Sequence, residues 1–207
     1  MAVTKQNHSI IRGTLAELII VSGDYVGQQG FANDYGVGEG LEYKWNGSSW
    51  YLAPRWQILK LQRTVANGPA DTNENILFTY TLPKLGVNDM LRVEHFWTIA
   101  GTAVAKTVKV NLGASGAGTG LSVDLQNGTT NSTGNMITGI RNMGAANAQK
   151  WYSNNKAVFG LNSGSLQGTT RDTGTAGVVL TVTATKALGT ETMNLEYCDL
   201  HVFGGGS

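Results

Sequence analysis

The side chains that most often bind metal ions are scattered along this sequence of 207 residues. Its three histidines, His8, His95 and His201, lie far apart, and the single cysteine, Cys198, has no partner at the spacing of a zinc site. The apolar neighbours of Cys198 favour a buried, inert thiol. His95 falls on an apolar strand face, where we expect a hydrogen-bonded histidine of the core or of an interface, with a pH-sensitive subunit contact as the alternative. We predict no metal and no cofactor.

Phosphate binding and acyl transfer have no support in the sequence. The glycine runs 36–40 and 116–120 lack the spacing and the following helix of a phosphate-binding loop, and no G-x-S-x-G pentapeptide occurs. Sugar hydrolysis needs two carboxylates at a suitable separation, which a sequence alone does not give. Four acidic residues are more simply explained as turn or solvent-facing strand residues: Glu42, Asp89, Glu94 and Asp199. We therefore predict that the protein is not an enzyme.

The densest group of aromatic residues surrounds an Asn-Gly pair. Residues 41–45 alternate between apolar and polar, Asn-Gly suits a tight hairpin turn, and an aromatic strand returns over 50–52. Aromatic side chains can stack on a sugar, but in a small hairpin they more often form the core. The candidate assembly or glycan-contact surface comprises six residues of this hairpin: Tyr43, Trp45, Asn46, Gly47, Trp50 and Tyr51.

Strands separated by turns are predicted along nearly the whole chain, because helical spacing of apolar residues is almost absent. The strands are expected at 56–65, 76–82, 91–99, 108–112, 121–126, 135–141, 148–152, 157–161, 178–184 and 192–203. In the last strand the apolar parity switches between Tyr197 and Cys198, which predicts a bulge or a corner. About eight strands from Ile76 onward fit a two-sheet sandwich of jelly-roll type. We predict an all-β fold with a glycine-rich hairpin module, 1–55, and a sandwich, 56–207.

Composition narrows the class of partner. Charged residues make up 14% of the chain, against ~25% in an ordinary soluble domain, so much of the surface must be neutral and suited to subunit contact. A net charge of +1 argues against a nucleic-acid partner. The apolar run 15–21 is short and contains Glu17, so neither a signal peptide nor a membrane span is expected. We expect assembly in a cytoplasm.

Two segments carry a family resemblance. GQQGFAND (27–34), followed by YKWNGSSW (43–50), resembles a short module found near the N-termini of bacteriophage fibre and tail proteins. That module combines a glycine turn, a bend with an aspartate and a W-N-G-x-x-W hairpin, and all three are present. The remainder looks like the β-sandwich domains of phage head fibres, decoration proteins and receptor-binding fibres, mainly through YTLP (80–83) and DMLRV (89–93).

The resemblance implies a bacteriophage virion structural protein that forms a homotrimer on the virion surface. Its implied partners are further copies of itself and other virion proteins, such as the major capsid protein or tail components. A capsid decoration or head-fibre role is slightly favoured, since the sequence is short and shows no long shaft. The alternatives are a tail fibre receptor-binding protein or a carbohydrate-binding module that contacts a host surface glycan through Trp45 and Trp50.

Overall fold

The computed structural model of the chain describes residues 10–38, 40–102, 104–113, 121–128, 132–145, 148–154, 161–166, 173–174 and 177–205. A small sheet lies in the N-terminal part, with its strands in the order β1-β2-β3-β4. These strands are β1 (Ile11–Gly13), β2 (Gln29–Ala32), β3 (Leu41–Trp45) and β4 (Trp50–Leu52), and one helix, α1 (Leu15–Ile20), connects β1 to β2. The β1–β2 pair is parallel, while β2–β3 and β3–β4 are antiparallel.

Two larger antiparallel sheets follow. The strands are β5 (Trp56–Gln62), β6 (Ala66–Asn67), β7 (Asn75–Thr81), β8 (Met90–Ala100), β9 (Lys106–Gly113), β10 (Leu121–Gly128), β11 (Ser132–Arg141), β12 (Gln149–Asn154), β13 (Leu161–Leu166), β14 (Val179–Lys186) and β15 (Thr192–Phe203). One sheet has four strands in the order β10-β9-β14-β7. The other has seven strands: six follow the order β13-β12-β11-β8-β15-β5, and the short β6 pairs with β15.

The two large sheets bury a common core. Along β8 every second residue is buried, because successive side chains of a strand point to opposite faces. The inward residues of β8 include Leu91, Val93 and Trp97, and Val110 and Leu180 from the four-stranded sheet belong to the same buried cluster. The predicted all-β, jelly-roll-like β-sandwich is confirmed.

Most predicted strands match described strands, and β15 has the predicted bounds. Its bulge lies between Leu195 and Tyr197 in the pairing with β8, next to the predicted position. A strand was expected at 157–161, but only Leu161 of that range lies in the described part of the chain, as the first residue of β13. The glycine loop 116–120 also lies outside the described residues.

Two local features differ from the sequence-based expectation. The hairpin does not turn on Asn-Gly alone: Trp45 pairs with Trp50, so its loop spans residues 46–49, closed by Asn46 N donating to Ser49 O at 3.1 Å. The N-terminal segment also contains a helix, α1, which was not expected. Thr14 and Glu17 form a capping box, in which each side chain accepts a hydrogen bond from the other residue's backbone N–H. The cap stabilises a helix too short to show apolar periodicity.

Cys198 and His95, which the sequence analysis considered as possible metal ligands or reactive groups, belong to the core. Cys198 is buried, and burial raises the pKa of its thiol. His95 is buried too, and its Nδ1 accepts a hydrogen bond of 2.6 Å from Trp97 Nε1. His95 is therefore a hydrogen-bonded core histidine, the simpler of the two expectations. Among the helices of the described residues, none is long and apolar enough to cross a membrane.

A buried ion pair joins two connections at one end of the sandwich. Lys106 Nζ lies 2.7 Å from Glu191 Oε2, and both side chains are 1% exposed. The other carboxylate oxygen, Oε1, accepts hydrogen bonds from the backbone N and the hydroxyl of Thr102, at 2.9 and 2.5 Å. Hydrogen bonds from Lys106 and Thr102 lower the pKa of Glu191 to about 2. Folding therefore favours the ionised carboxylate, which fixes the loop after β8 to the turn before β15.

We expect Glu191→Gln to lower the free energy of unfolding at pH 7, because Lys106 then stays buried without a counter-charge. The ordinary pKa of a glutamate is 4.5 and the pKa in the fold is about 2, so the stabilisation is present above pH 4.5 and is lost as the pH falls toward 2. Denaturant titrations from pH 7 to pH 2 should show a flatter pH dependence for Glu191→Gln than for wild type. The partly exposed Glu196→Gln serves as control, and an equal slope for Glu191→Gln and wild type would contradict this role.

Candidate functional site

The aromatic hairpin is held on the sandwich by one glutamine. Gln57, on β5, is 8% exposed. Its side-chain Oε1 accepts a hydrogen bond of 2.6 Å from the backbone N of Glu42, and its Nε2 donates to the backbone O of Glu42 at 3.1 Å. The amide thus pairs with the main chain of β3 as a neighbouring strand would. Together with the Arg55–Glu42 ion pair, it fixes where the hairpin sits on the sandwich.

The two hairpin tryptophans have different environments. Trp45 is 9% exposed, and it packs over Gly23, where a Cβ would lie 2.4 Å from the indole. Trp50 is half-buried and lies 5.6 Å from Trp45 between ring centroids, at a tilt of 56°. Tyr43 is also buried, which raises the pKa of its hydroxyl. Trp45 and Tyr43 therefore form the core of the small sheet, and Trp45 offers no open face for stacking on a sugar.

Helix α1 covers one side of the hairpin. Its buried residue, Leu18, lies against Gly30, where an added Cβ would be 2.6 Å from Leu18 and 3.1 Å from Trp50. The Trp50 indole N–H donates to the backbone O of Val21 at 2.7 Å, so the ring is fixed by the segment that follows α1. Asn46 is partly exposed and Gly47 exposed, in the loop at the far end of the hairpin.

A groove of about 590 Å³ lies between the hairpin and the loop 84–89 of the sandwich. We call it the hairpin groove. One wall comes from α1 and the hairpin, and the other from the loop that precedes β8. The lining residues are Leu15, Ile19, Tyr43, Ser49, Trp50, Tyr51, Leu52, Lys84, Leu85, Gly86, Val87, Asn88 and Asp89. Of the six predicted surface residues, three line this groove, namely Tyr43, Trp50 and Tyr51. The other three, Trp45, Asn46 and Gly47, do not.

Asp89 closes the sandwich side of the groove and is 5% exposed. Its Oδ2 accepts a hydrogen bond from Gly86 N at 2.7 Å, and its Oδ1 accepts one from Gly205 N at 2.8 Å. The carboxylate therefore holds both the loop 84–89 and the C-terminal segment. Burial raises the pKa of Asp89, and these two hydrogen bonds oppose that rise. The groove residues of this loop carried no sequence signal as a binding site.

The other predicted acidic residues also have structural partners. Glu42 was expected in a turn or facing solvent, but it is 4% exposed and forms the ion pair with Arg55, so that expectation was wrong. Glu94 and Asp199 lie on the outer side of the seven-stranded sheet, paired with Arg92 and Arg63 at 2.8 Å each. Asp199 is 8% exposed, so the expectation of a solvent-facing residue was wrong for it as well. Asp89 lies in a turn, as expected, although it is buried.

The outer side of the seven-stranded sheet is a second aromatic surface, which we call the outer sheet face. Trp56 and Phe203 pack at 5.3 Å between centroids, and Phe96 stacks on Tyr197 at 5.6 Å. The Arg92–Glu94 and Arg63–Asp199 ion pairs lie on the same face. The two aromatic pairs are six residues apart along β15, which corresponds to ~20 Å. Trp56 is the most open of these rings, at 43% exposure.

Comparison with known proteins finds no matching family model and no matching curated protein. Among solved structures, the chain is similar to the CBM2 module of the evolved Dit protein of Lactobacillus casei BL23 phage J-1, with 8% identity, a TM-score of 0.38 and coverage of 62% of this chain and 69% of that chain. It is also similar to the winged bean acidic lectin in complex with methyl-α-D-galactose, with 10% identity, a TM-score of 0.36 and coverage of 71% and 93%.

A third similarity is to the VP2 subviral particle of infectious bursal disease virus, with 11% identity, a TM-score of 0.24 and coverage of 90% of this chain and 50% of that chain. The function of this chain is therefore inferred from its own residues.

We expect Gln57→Leu to destabilise the protein by about 1–3 kcal/mol, because the backbone N–H of Glu42 is then buried without its acceptor. Hydrogen exchange should also speed up at the amides of β3 and β4, since the hairpin loses its link to β5. The control is Gln62→Leu, which removes one hydrogen bond, to the backbone O of Leu77, from a less buried glutamine. Equal losses of stability in the two variants, measured by urea unfolding, would argue against a special role for Gln57.

Proposed function

We propose that this chain is a non-enzymatic structural protein of a bacteriophage particle, attached through its N-terminal module, residues 1–55, with the sandwich displayed outward. One observation carries the proposal: α1 and the segment after it carry a group of apolar side chains that are exposed among the described residues. Its residues are Ile19, Ile20, Val21 and Val26, exposed by 59%, 81%, 43% and 72%. We call these four residues the attachment surface. Exposed apolar groups of this kind mark sites of protein contact.

The distribution of exposed apolar side chains supports an attachment role for this part of the chain. Among the described residues, six of the thirteen large apolar side chains that are exposed lie between positions 10 and 37. The N-terminal module, residues 1–55, also contains the glycine turn and the W-N-G-x-x-W hairpin that resemble phage fibre and tail proteins. The resemblance also implies a homotrimer on the virion surface, and analytical ultracentrifugation measures that state directly.

The roles of the acidic residues support a non-enzymatic protein. Asp89 holds two main-chain N–H groups, and Glu191 is bound by Lys106 and Thr102. Glu74 accepts hydrogen bonds from Lys109 at 2.9 Å and from Thr183 at 2.7 Å. Each of these carboxylates has a structural function that explains its position. Incubation with a host polysaccharide should accordingly leave the size distribution of the polymer unchanged.

Attachment is tested with particles that lack this protein. We expect purified wild-type protein to co-sediment with such particles, and Ile20→Ser/Val26→Ser to bind roughly tenfold more weakly or worse, because two exposed apolar contacts are removed. Both side chains are largely exposed, so the variant should unfold at the wild-type midpoint. The control is Ile76→Ser/Leu188→Ser, two exposed positions on the sandwich. Capsids and tails are tested separately, and binding to neither, or equal binding by all variants, would contradict the proposal.

A second candidate function is glycan binding, favoured by the outer sheet face. A Trp–Phe pair and a Phe–Tyr pair flank charged residues there, and sugars are bound by the combination of aromatic faces with charged and hydroxyl groups. The polar groups between the rings include Arg92, Glu94 and the Tyr197 hydroxyl, which lies 3.5 Å from Glu94 Oε1. This candidate assigns glycan contact to the sandwich and not to the hairpin, because Trp45 is buried.

We expect a glycan array to identify ligands whose binding falls roughly tenfold or more in Trp56→Ala, since an aromatic stacking partner contributes about 1–3 kcal/mol. Trp56 is 43% exposed, so the substitution should affect binding more than folding. The matched control is Ile58→Ala, an exposed residue of the same strand. A blank array, or binding that Trp56→Ala leaves intact, would remove this candidate.

A further inference from the structure

The hairpin groove differs from the rest of the surface in having aliphatic walls and an acidic end. Leu15, Ile19 and Leu52 line it from the N-terminal module, and Leu85 and Val87 line it from the loop 84–89. A concave site with apolar walls and a few convergent polar groups is the usual form of a ligand site. The acidic residue among the lining residues is Asp89.

Among the described residues, the carboxylate of Asp89 has hydrogen-bond donors but forms no ion pair with a cation. The backbone N–H groups of Gly86 and Gly205 each occupy one oxygen, at 2.7 and 2.8 Å. Within the described part of the chain no lysine, arginine or histidine forms an ion pair with Asp89, and Lys84, which lines the same groove, forms none with it. The other buried carboxylates among the described residues, Glu42, Glu191 and Asp199, each have one. A carboxylate that is 5% exposed and lacks a cation is destabilised in its ionised form.

Each oxygen of a carboxylate can accept two hydrogen bonds, so Asp89 retains acceptor capacity after binding the two glycine N–H groups. A cationic group in the groove would gain a charge-assisted hydrogen bond in a site shielded from water. The fixed geometry of the carboxylate also lowers the entropic cost of that contact, because Gly86 and Gly205 already hold it in place.

We propose that the hairpin groove binds an extended peptide segment of a partner protein, in which a lysine or arginine contacts Asp89 and an adjacent aliphatic side chain packs between Leu52 and Val87. The occupant follows from charge complementarity at the acidic end and from the aliphatic walls. A sugar fits less well, because the indole N–H of Trp50 is already bonded to Val21 and five of the thirteen lining residues are aliphatic, against three aromatic ones.

This inference deepens the proposed function and depends on it for the identity of the partner, a protein of the particle. The groove and the attachment surface share Ile19, so one partner could contact both. The peptide chemistry is tested on the isolated full-length protein, without particles. Failure of the groove proposal can therefore be distinguished from failure of particle attachment.

The test selects random heptapeptides from a display library on the immobilised wild-type protein. We expect enriched peptides to contain a lysine or arginine next to Leu, Ile, Val or Met, and two synthetic representatives to bind in fluorescence anisotropy. Asp89→Asn should weaken their binding roughly tenfold or more, because the charge is lost while the shape is kept. Val87→Lys should abolish binding, because it adds a like charge and removes an apolar contact at a side chain that is 56% exposed.

The matched control is Leu188→Lys, which places the same charge at an exposed apolar position of the sandwich, in the turn after β14. It should bind the peptides as wild type does, and Ile20→Ser/Val26→Ser should also retain them. If Asp89→Asn unfolds at a lower midpoint, Val87→Lys still decides the question. The proposal is overturned by the absence of enrichment, by enrichment without a basic residue, by unchanged binding in Val87→Lys, or by a glycan that competes for the groove.

Discussion

The position of the aromatic hairpin depends on a side chain acting in place of a strand. Gln57 gives β3 one acceptor and one donor, at 2.6 and 3.1 Å, so the backbone N–H of Glu42 has an acceptor, while the backbone O of Glu42 also accepts from Ala53 N at 3.0 Å. A buried N–H without an acceptor costs ~1–3 kcal/mol, so β3 can pack against β5 only with such an amide opposite it. The small sheet and the sandwich thus share one buried cluster, which contains Leu41 and Leu52 as well as Leu91.

Once the hairpin is fixed, two segments that are remote from it in sequence pack beside it, the loop 84–89 and the C-terminal segment. The C-terminal segment passes so close to the hairpin that a Cβ at Gly204 would lie 2.2 Å from the backbone O of Leu52. The next residue, Gly205, binds Asp89 of the loop 84–89. The groove lies between α1 and the hairpin on one side and the loop 84–89 on the other, and the C-terminal segment holds Asp89 through Gly205. Its shape is set by hydrogen bonds to main-chain groups, which hold the acidic end in one geometry before any ligand arrives.

The sandwich could be read from the sequence more completely than the groove. Strict alternation in β8 indicated both the strand and the face that it buries, and in β15 the parity switch near Tyr197 indicated a bulge. Helix α1 was missed because six residues are too few for periodicity, although Thr14 and Glu17 had the spacing of a capping box. Trp45 and Trp50 looked equivalent in sequence, and only the approach of Gly23 to Trp45 separates the buried ring from the half-buried one. The groove could not be predicted, because Trp50 and Asp89 meet only through tertiary packing.

Composition showed that charged residues are few, and the structure shows how several of them are used. Within the described part of the chain, five lysine and arginine residues form ion pairs with carboxylates: Arg55, Arg63, Arg92, Lys106 and Lys109. Charges used in this way hold the fold together and contribute little to a long-range field, since opposite charges close together cancel at a distance. Association of this chain should then be driven by burial of apolar surface and depend little on ionic strength, because salt screens exposed charges and leaves apolar contacts almost unaffected. Asp89 differs from the carboxylates of these pairs, since it is buried and forms no ion pair within the described part of the chain, and it lines the hairpin groove.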